Sequence, residues 1–203
     1  MDMNDNNSFI PLDVSNSIWE HFFTVAPLVV VGTKEGDGYD MAPKHMAMPI
    51  GFENYFGFVC TPDHSTYTNI KLHKEFSVSF PFPDQLVLTS LSALPRVKGI
   101  SKFDQIISTL PSKKANTIDT LLVAEAYLHL ECKLYKIIDG FGSNSIITGS
   151  IIAANVHTDY LKISEKEEQE QLKSNPLLAY IANGRYAVIS ETFNFPFPKG
   201  FNR

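Results

Sequence analysis

PLVVVGTKEGDGYDMAPKHMAM, residues 27–48, is the stretch on which the fold turns. Residues 27–33 are dominated by β-branched side chains, which are stiff at χ1 and pack well on a pleated surface, so they read as a buried strand. KEGDGYD, residues 34–40, follows with two glycines and two aspartates, the chemistry of a hairpin turn. Residues 41–50 then read as the returning strand.

Working outward, NYFGFVCT (residues 54–61) gives a third strand rich in aromatics. Pro62 and Asp63 break it, and HSTYTNIKLH (residues 64–73) predicts a helix with a hydroxyl-rich first turn. Residues 75–80 alternate as a fourth strand, stopped by Pro81 and Pro83, and residues 84–91 predict a short helix from an acidic cap. Upstream, Ile18, Trp19, Phe22 and Phe23 fall on one stripe at helical spacing, predicting an amphipathic helix over 15–25, capped by Ser15 or Asn16 and ended by Pro27. Downstream, AYLHLECKLYKII (residues 126–138) alternates as a long strand, DGFGSN (139–144) reads as a turn, and 145–157 as another long β run. Residues 164–172 predict a charged helix whose KEEQE is a solvated face. Nearly everything else in the C-terminal segment is Pro, Asn, Gly and aromatic.

Residues 93–124 mix Pro, Lys, Ser and Thr with short apolar patches and read as a long excursion with one helix around 103–110. Such long connections often cover a site or a subunit contact. The order is strand-dominated, with helices inserted between antiparallel strands. It predicts a mainly β, α+β protein, a β-barrel with flanking helices, and not an alternating parallel fold. Residues 1–14 read as a disordered tail and 15–203 as a single domain with an insertion at about 93–124.

Bulk properties narrow the function. The 203 residues are 44% hydrophobic and 19% charged, an ordinary globular balance. The net charge of -5 and pI of about 5.6 argue against a nucleic-acid binder, which needs a basic footprint. Cys60 and Cys132 sit in apolar runs without CxxC spacing, which reads as two buried, reduced thiols and a cytoplasmic home. MDMNDNNSF lacks the basic start and apolar core of a signal peptide, and no apolar run approaches the ~20 residues of a membrane span.

HExxH, Walker, GxSxG and strand-linked GxGxxG patterns are all missing, and the six histidines offer no metal spacing. The best local candidate is TPDHSTYTNI, residues 61–70. A helix start there offers free backbone N–H groups and the positive dipole end to a phosphate. Ser65, Thr66 and Thr68 add hydroxyls and His64 a positive charge. The alternative is a capped helix that binds nothing. The second candidate is MAPKHMAM, residues 41–48, either an edge strand with one polar face or a surface on which a flat ligand ring lies.

Taken in order, these segments resemble the flavin reductase-like family of FMN-binding split barrels. PLVVVGT, KEGDGYD and DMAPKHMAM stand where the family has an apolar strand, a turn holding Asp and Gly, and an N-L-A-P-like strand. DHSTYTNI is similar to its K-D-T-x-x-N-I helix start, EFSVSFP to its E-F-V-V-N strand, and GSNSIITG (residues 142–149) to its G-D-H-T-L-V-V-G pair. The resemblance spans about 27–159. It implies an FMN phosphate near Thr61, His64, Ser65, Thr66 and Asn69, and an isoalloxazine ring beside Lys44, His45, Met46 and Ala47. Bulkier residues follow the A-P pair here than in the family, and Asn144 stands where the family often has His near the flavin or nicotinamide. Arg185 reads equally as a surface cation or a phosphate contact. The implied activity is hydride transfer from NADH or NADPH to flavin in a homodimer, with no metal and no obligatory side-chain acid or base. Reduction of a small organic substrate and a non-enzymatic electron carrier are the alternatives.

Overall fold

The computed structural model describes residues 8–162 and 168–201. Its strands are β1 (Val25–Pro27), β2 (Val29–Glu35), β3 (Gly38–Lys44), β4 (Ala47–Pro49), β5 (Tyr55–Cys60), β6 (Glu75–Pro81), β7 (Ser112–Lys114), β8 (Leu121–Val123), β9 (Ala126–Phe141), β10 (Asn144–Val156), β11 (Leu177–Ile181) and β12 (Arg185–Ile189). The helices are α1 (Ser65–His73), α2 (Leu86–Leu91), α3 (Lys102–Gln105) and α4 (Glu168–Ser174).

Seven strands form one antiparallel sheet in the order β3-β2-β6-β9-β10-β5-β4. Its two edge strands, β3 and β4, are consecutive in the chain, with only His45 and Met46 between them. The sheet therefore curls until its edges meet, as a split barrel. The expected single strand over 41–50 is thus two strands that leave the seam in different pairings, β3 on β2 and β4 on β5. Pro43 and Pro49 lie on these edge strands, where a missing N–H costs least.

Val29, Val30 and Val31 in β2 are all at most 1% exposed, so this strand is buried on both faces. Val29 and Val31 join the barrel interior with Phe56, Phe58, Phe76 and Ile147. Val30 packs outward into a second cluster with Met41, Ile107, Leu121 and Val123. The long excursion supplies that outer cover. Its expected helix is broken into α3 and a 3-10 turn at Ile107–Thr109, because Ile106 departs from helical backbone (φ -152°, ψ -40°). Polar residues on the outer face of β6 and β9 are buried beneath β7 and β8 and satisfy their backbone. Ser77 Oγ donates to Leu121 O (2.5 Å), Val123 N donates to Ser79 Oγ (3.0 Å), and Glu131 accepts from Asn116 N (3.0 Å) and Thr117 N (2.6 Å).

Several expectations are corrected. No helix forms over 15–25; Trp19 and Phe23 are exposed, and the chain enters β1 at Val25. Among the described residues the apolar stripe finds no face that buries Trp19 or Phe23, and a lone helix that short is marginal in water. β1 pairs instead with β11, in a three-stranded sheet β1-β11-β12 that the sequence reading did not contain. The turn expected over 139–144 shrinks to Gly142 and Ser143, because β9 runs on to Phe141. The charged helix is α4, shifted to Glu168–Ser174, and the start of its expected span lies outside the described residues. So does the first half of the expected N-terminal tail; residues 8–14 hold no helix or strand. The strands over 75–80, 126–138 and 145–157 and the helices over 64–73 and 84–91 stand close to where they are predicted. Cys60 and Cys132 are buried and unpaired. No described helix is long and apolar enough to cross a membrane.

Gly32 is where β8 passes over β2. A Cβ there would lie 2.1 Å from Leu121 O and 2.5 Å from Ser77 Oγ. Gly32→Ala is expected to push the excursion off the sheet and lower stability by about 3 kcal/mol, read as a lower urea midpoint; an unchanged midpoint would contradict this packing.

Candidate functional site

Two adjoining cavities open along the seam. The smaller, about 250 Å³, is lined by Lys44, His45 and Met46 from the crossing, Cys60 and Thr61 from the end of β5, and His64 and Asn144. The larger, about 440 Å³, shares Pro43, Lys44 and His64 and continues past Ser65 and Thr66 of α1 to Arg96 and Lys102 of the excursion. The shared residues make them one groove.

The floor of the second cavity is the start of α1. His64 is its extended N-cap (φ -81°, ψ 142°), and no side chain caps the helix. The N–H groups of Ser65 and Thr66 have no acceptor among the described residues. A helix start left open in this way faces a cavity with donors and a positive dipole end, which suits an anion. Thr66 is 2% exposed and lines that cavity.

Cations surround this end. Lys102 is only 6% exposed; its Nζ lies 3.3 Å from Asp40 and donates to Met41 O at 3.2 Å. Arg96 forks onto Glu35 (3.0 and 2.8 Å) and reaches Asp40 at 3.0 Å. Burial pulls the Arg96 guanidinium down, but its bonds to Glu35 and the nearby Asp40 outweigh this and hold it above its usual value. The buried carboxylate of Asp40 thus anchors two cations from the excursion onto β3.

At the seam, Lys44 Nζ lies 3.7 Å from Cys60 Sγ. Burial pushes the Cys60 thiol up, against the weaker opposite pull of Lys44, so it stays protonated. Thr61 Oγ1 donates to Asn144 Oδ1 at 3.2 Å, tying the ends of β5 and β10 together. The His45 ring packs on Tyr180 of β11, with centroids 4.4 Å apart. Burial, then Lys44, lowers its pKa, so the imidazole is neutral at pH 7.

The groove brings together Lys44, His45, Met46, Thr61, His64, Ser65, Thr66 and Asn144. Three other candidates lie apart from it. Ala47 points into the barrel core. Asn69 is buried and donates to Thr33 Oγ1 at 3.0 Å, pinning α1 to β2. Arg185 is exposed at the start of β12 and lines neither cavity. Sequence reasoning missed Asp40, Arg96, Lys102 and Tyr180. The basic residues of PRVKGISKF (95–103) were a visible signal for two of these, and the Asn183-Gly184 hairpin for the sheet that carries Tyr180.

The model of the flavin reductase like domain matches residues 23–189. The chain belongs to that family. No curated protein shows significant sequence similarity to it. Among solved structures, a flavoredoxin from Methanosarcina acetivorans is similar with TM-score 0.72 and 19% identity, over 95% of this chain and 97% of that one. An FMN-binding protein from Thermus thermophilus with bound p-hydroxybenzaldehyde gives TM-score 0.71 and 18% identity over 93% and 98%. An NADH:FAD oxidoreductase from Streptomyces globisporus gives TM-score 0.63 and 17% identity over 81% and 86%. At these identities the likeness to the three is one of fold.

Lys102→Met removes one partner of a buried carboxylate and leaves Asp40 to Arg96 alone. Breaking a buried pair in this way is expected to cost about 3 kcal/mol, measured by thermal or urea denaturation. A loss typical of an exposed pair, well under 1 kcal/mol, would show that Asp40 is not dependent on Lys102.

Proposed function

We propose that this protein is an FMN-dependent oxidoreductase of the flavin reductase type, taking hydride from NADH or NADPH, and that it works as a cytoplasmic homodimer. The observation that carries this reading is the uncapped start of α1, with Ser65 and Thr66 facing a cation-lined cavity continuous with the seam. Bound flavin would supply the hydride-accepting N5 and the return of electrons to an acceptor. The chain's own part is binding and orientation. The Ser65 and Thr66 N–H and hydroxyl groups donate to the phosphate, while Lys44, Arg96 and Lys102 supply positive potential. The crossing at residues 44–46 offers a surface for the ring, and backbone N–H groups near the N1–C2=O edge would favour reduced flavin. One phosphate-sized cluster and no dinucleotide fingerprint favour FMN over FAD.

Reduction of a small organic substrate at the same groove is the second reading. It is supported by the similar Thermus protein, whose structure holds p-hydroxybenzaldehyde, and by Asn144 in place of the family's usual His. Steady-state NADH and NADPH oxidation, with and without a candidate organic acceptor, separates the two. For the dimer, Met48 at 61% and Phe52 at 100% exposure leave apolar surface next to the seam, and Phe193 and Phe195 add more from the C-terminal segment. Light scattering at micromolar concentration should give twice the 22.7 kDa of one chain; a monomer mass would contradict the assembly.

The phosphate reading makes a sharper prediction. Hydrogen bonds to a phosphate are charge-assisted, each worth about 1.5–3 kcal/mol. Ser65→Ala with Thr66→Val should weaken FMN by roughly 3 kcal/mol, beyond about 100-fold, while riboflavin, which lacks the phosphate, loses little. Titrating both flavins against parent and variant decides it: equal weakening of the two, or none, would place the phosphate elsewhere.

A further inference from the structure

A separate cavity of about 720 Å³ lies at the other end of the long β9–β10 ribbon. Asn144 opens β10 at the groove and Val156 closes it at this cavity, roughly 35–40 Å further along the strand at ~3.3 Å per residue. Of the residues assigned to the flavin groove, none lines it.

Its floor is a cross-strand pair. His129 of β9 stands directly opposite Asn155 of β10, so the two side chains share one face of the sheet. His129 is 5% exposed, and its Nε2 lies 2.7 Å from the Val123 carbonyl. That contact places the ring proton on Nε2 and leaves Nδ1 as a lone-pair acceptor. Nδ1 has no hydrogen-bond partner among the described residues, and His129 lines the cavity. Burial is the largest influence on this imidazole and keeps it neutral, with the Val123 bond pulling more weakly the other way.

The walls are flat and the rim is of mixed sign. Phe82 and Tyr160 approach at 5.4 Å, and Tyr160 is stacked on Tyr127 at 4.7 Å and 15°. Lys113, which has no ion pair among the described residues, lines the cavity together with Asp84, Glu125 and Asp159. The three carboxylates outweigh Lys113 and oppose an anion. The Nδ1 lone pair calls for a ligand donor and Asn155 Nδ2 for an acceptor beside it, which together fit a planar amide group without negative charge.

We propose that this cavity binds a planar ring bearing a carboxamide or lactam group. The ligand N–H is donated to His129 Nδ1. Its carbonyl accepts from Asn155 Nδ2, and its ring packs against Phe82 and Tyr160. The site is independent of the flavin reading.

The test uses three probes of one shape, benzamide, N,N-dimethylbenzamide and benzoate, titrated into the full chain and followed by NMR of the histidine imidazoles. Benzamide should shift the His129 signals at millimolar concentration. The dimethyl compound, which has no N–H, and benzoate, which is charged, should each bind at least about tenfold more weakly, the loss expected for one hydrogen bond. Asn155→Leu should weaken benzamide to a similar degree and leave FMN titration unchanged. Asn155→Ala, a smaller change at the same exposed position, gives the same reading if the first variant does not fold. Equal binding of the three probes, benzamide binding that moves no His129 signal, or no benzamide binding at millimolar concentration would each overturn the proposal.

Discussion

The two edges of the seven-stranded sheet are tied by two residues, and the rest of the molecule follows from that tie. A sheet whose first and last strands are separated only by His45 and Met46 cannot lie flat. It must coil until β3 and β4 approach, while the Val59 N–H donates to Met46 O at 2.9 Å and carries the β4–β5 ladder back to the junction. The seam is a break in the ladder, so it is where side chains and backbone can face a ligand without disturbing the sheet. β5 delivers Thr61 to the same place, and α1 begins four residues later. The open helix start is therefore beside the seam as a consequence of chain connectivity.

A second constraint is the double burial of β2. Three successive valines cannot all point into one core, since alternate side chains leave opposite faces. The barrel interior takes Val29 and Val31, and the excursion must cover Val30. That cover has backbone groups of its own, and buried backbone requires partners. Ser77, Ser79, His129 and Glu131 provide them. The same segment carries Arg96 and Lys102 onto Asp40. Packing of the excursion and placement of the groove's cations are thus one event, so a change that loosens the outer core also disturbs the site.

How much of this was legible depends on the range of the physics involved. Local patterns were enough for β2, its hairpin with β3, α1 and the long β9–β10 ribbon, where β-branched runs, turn glycines and alternation all agree. The residues around the α1 start were legible for the same reason, since a helix N-terminus is a local feature. What was not legible depends on distant partners. Lys44 and His45 interrupt the apolar run of MAPKHMAM, but the same interruption fits one edge strand with a polar face, and only the closing of the sheet makes it two strands. Glu75, Ser77 and Ser79 read as the solvent face of an alternating strand, yet the two serines are buried because a segment far along the chain lies over them. The stripe of Ile18, Trp19, Phe22 and Phe23 has helical spacing and no helix, because spacing states where a face would be, not whether anything covers it. The β11–β12 hairpin is a different case, since its Asn-Gly turn was a local signal that went unread.

An acidic chain can still carry an anion site of the kind proposed. The net charge of -5 is a sum over the surface and says little about one cavity. Within the groove, however, the cations are already engaged. Lys102 is held between Asp40 and the Met41 carbonyl, and Arg96 is shared by Glu35 and Asp40. An incoming phosphate would compete with those carboxylates for charge, and the buried Asp40 partly offsets what the two cations offer. The N–H groups of Ser65 and Thr66 have no such rival, since the helix is uncapped and nothing in the described chain accepts from them. They are fixed by the helix, need no reorganisation, and lie in a partly enclosed cavity where a hydrogen bond counts for more than in water. On the proposed reading the helix start would therefore be the primary anchor for a phosphate, with Arg96 and Lys102 mainly setting its field and holding the excursion in place.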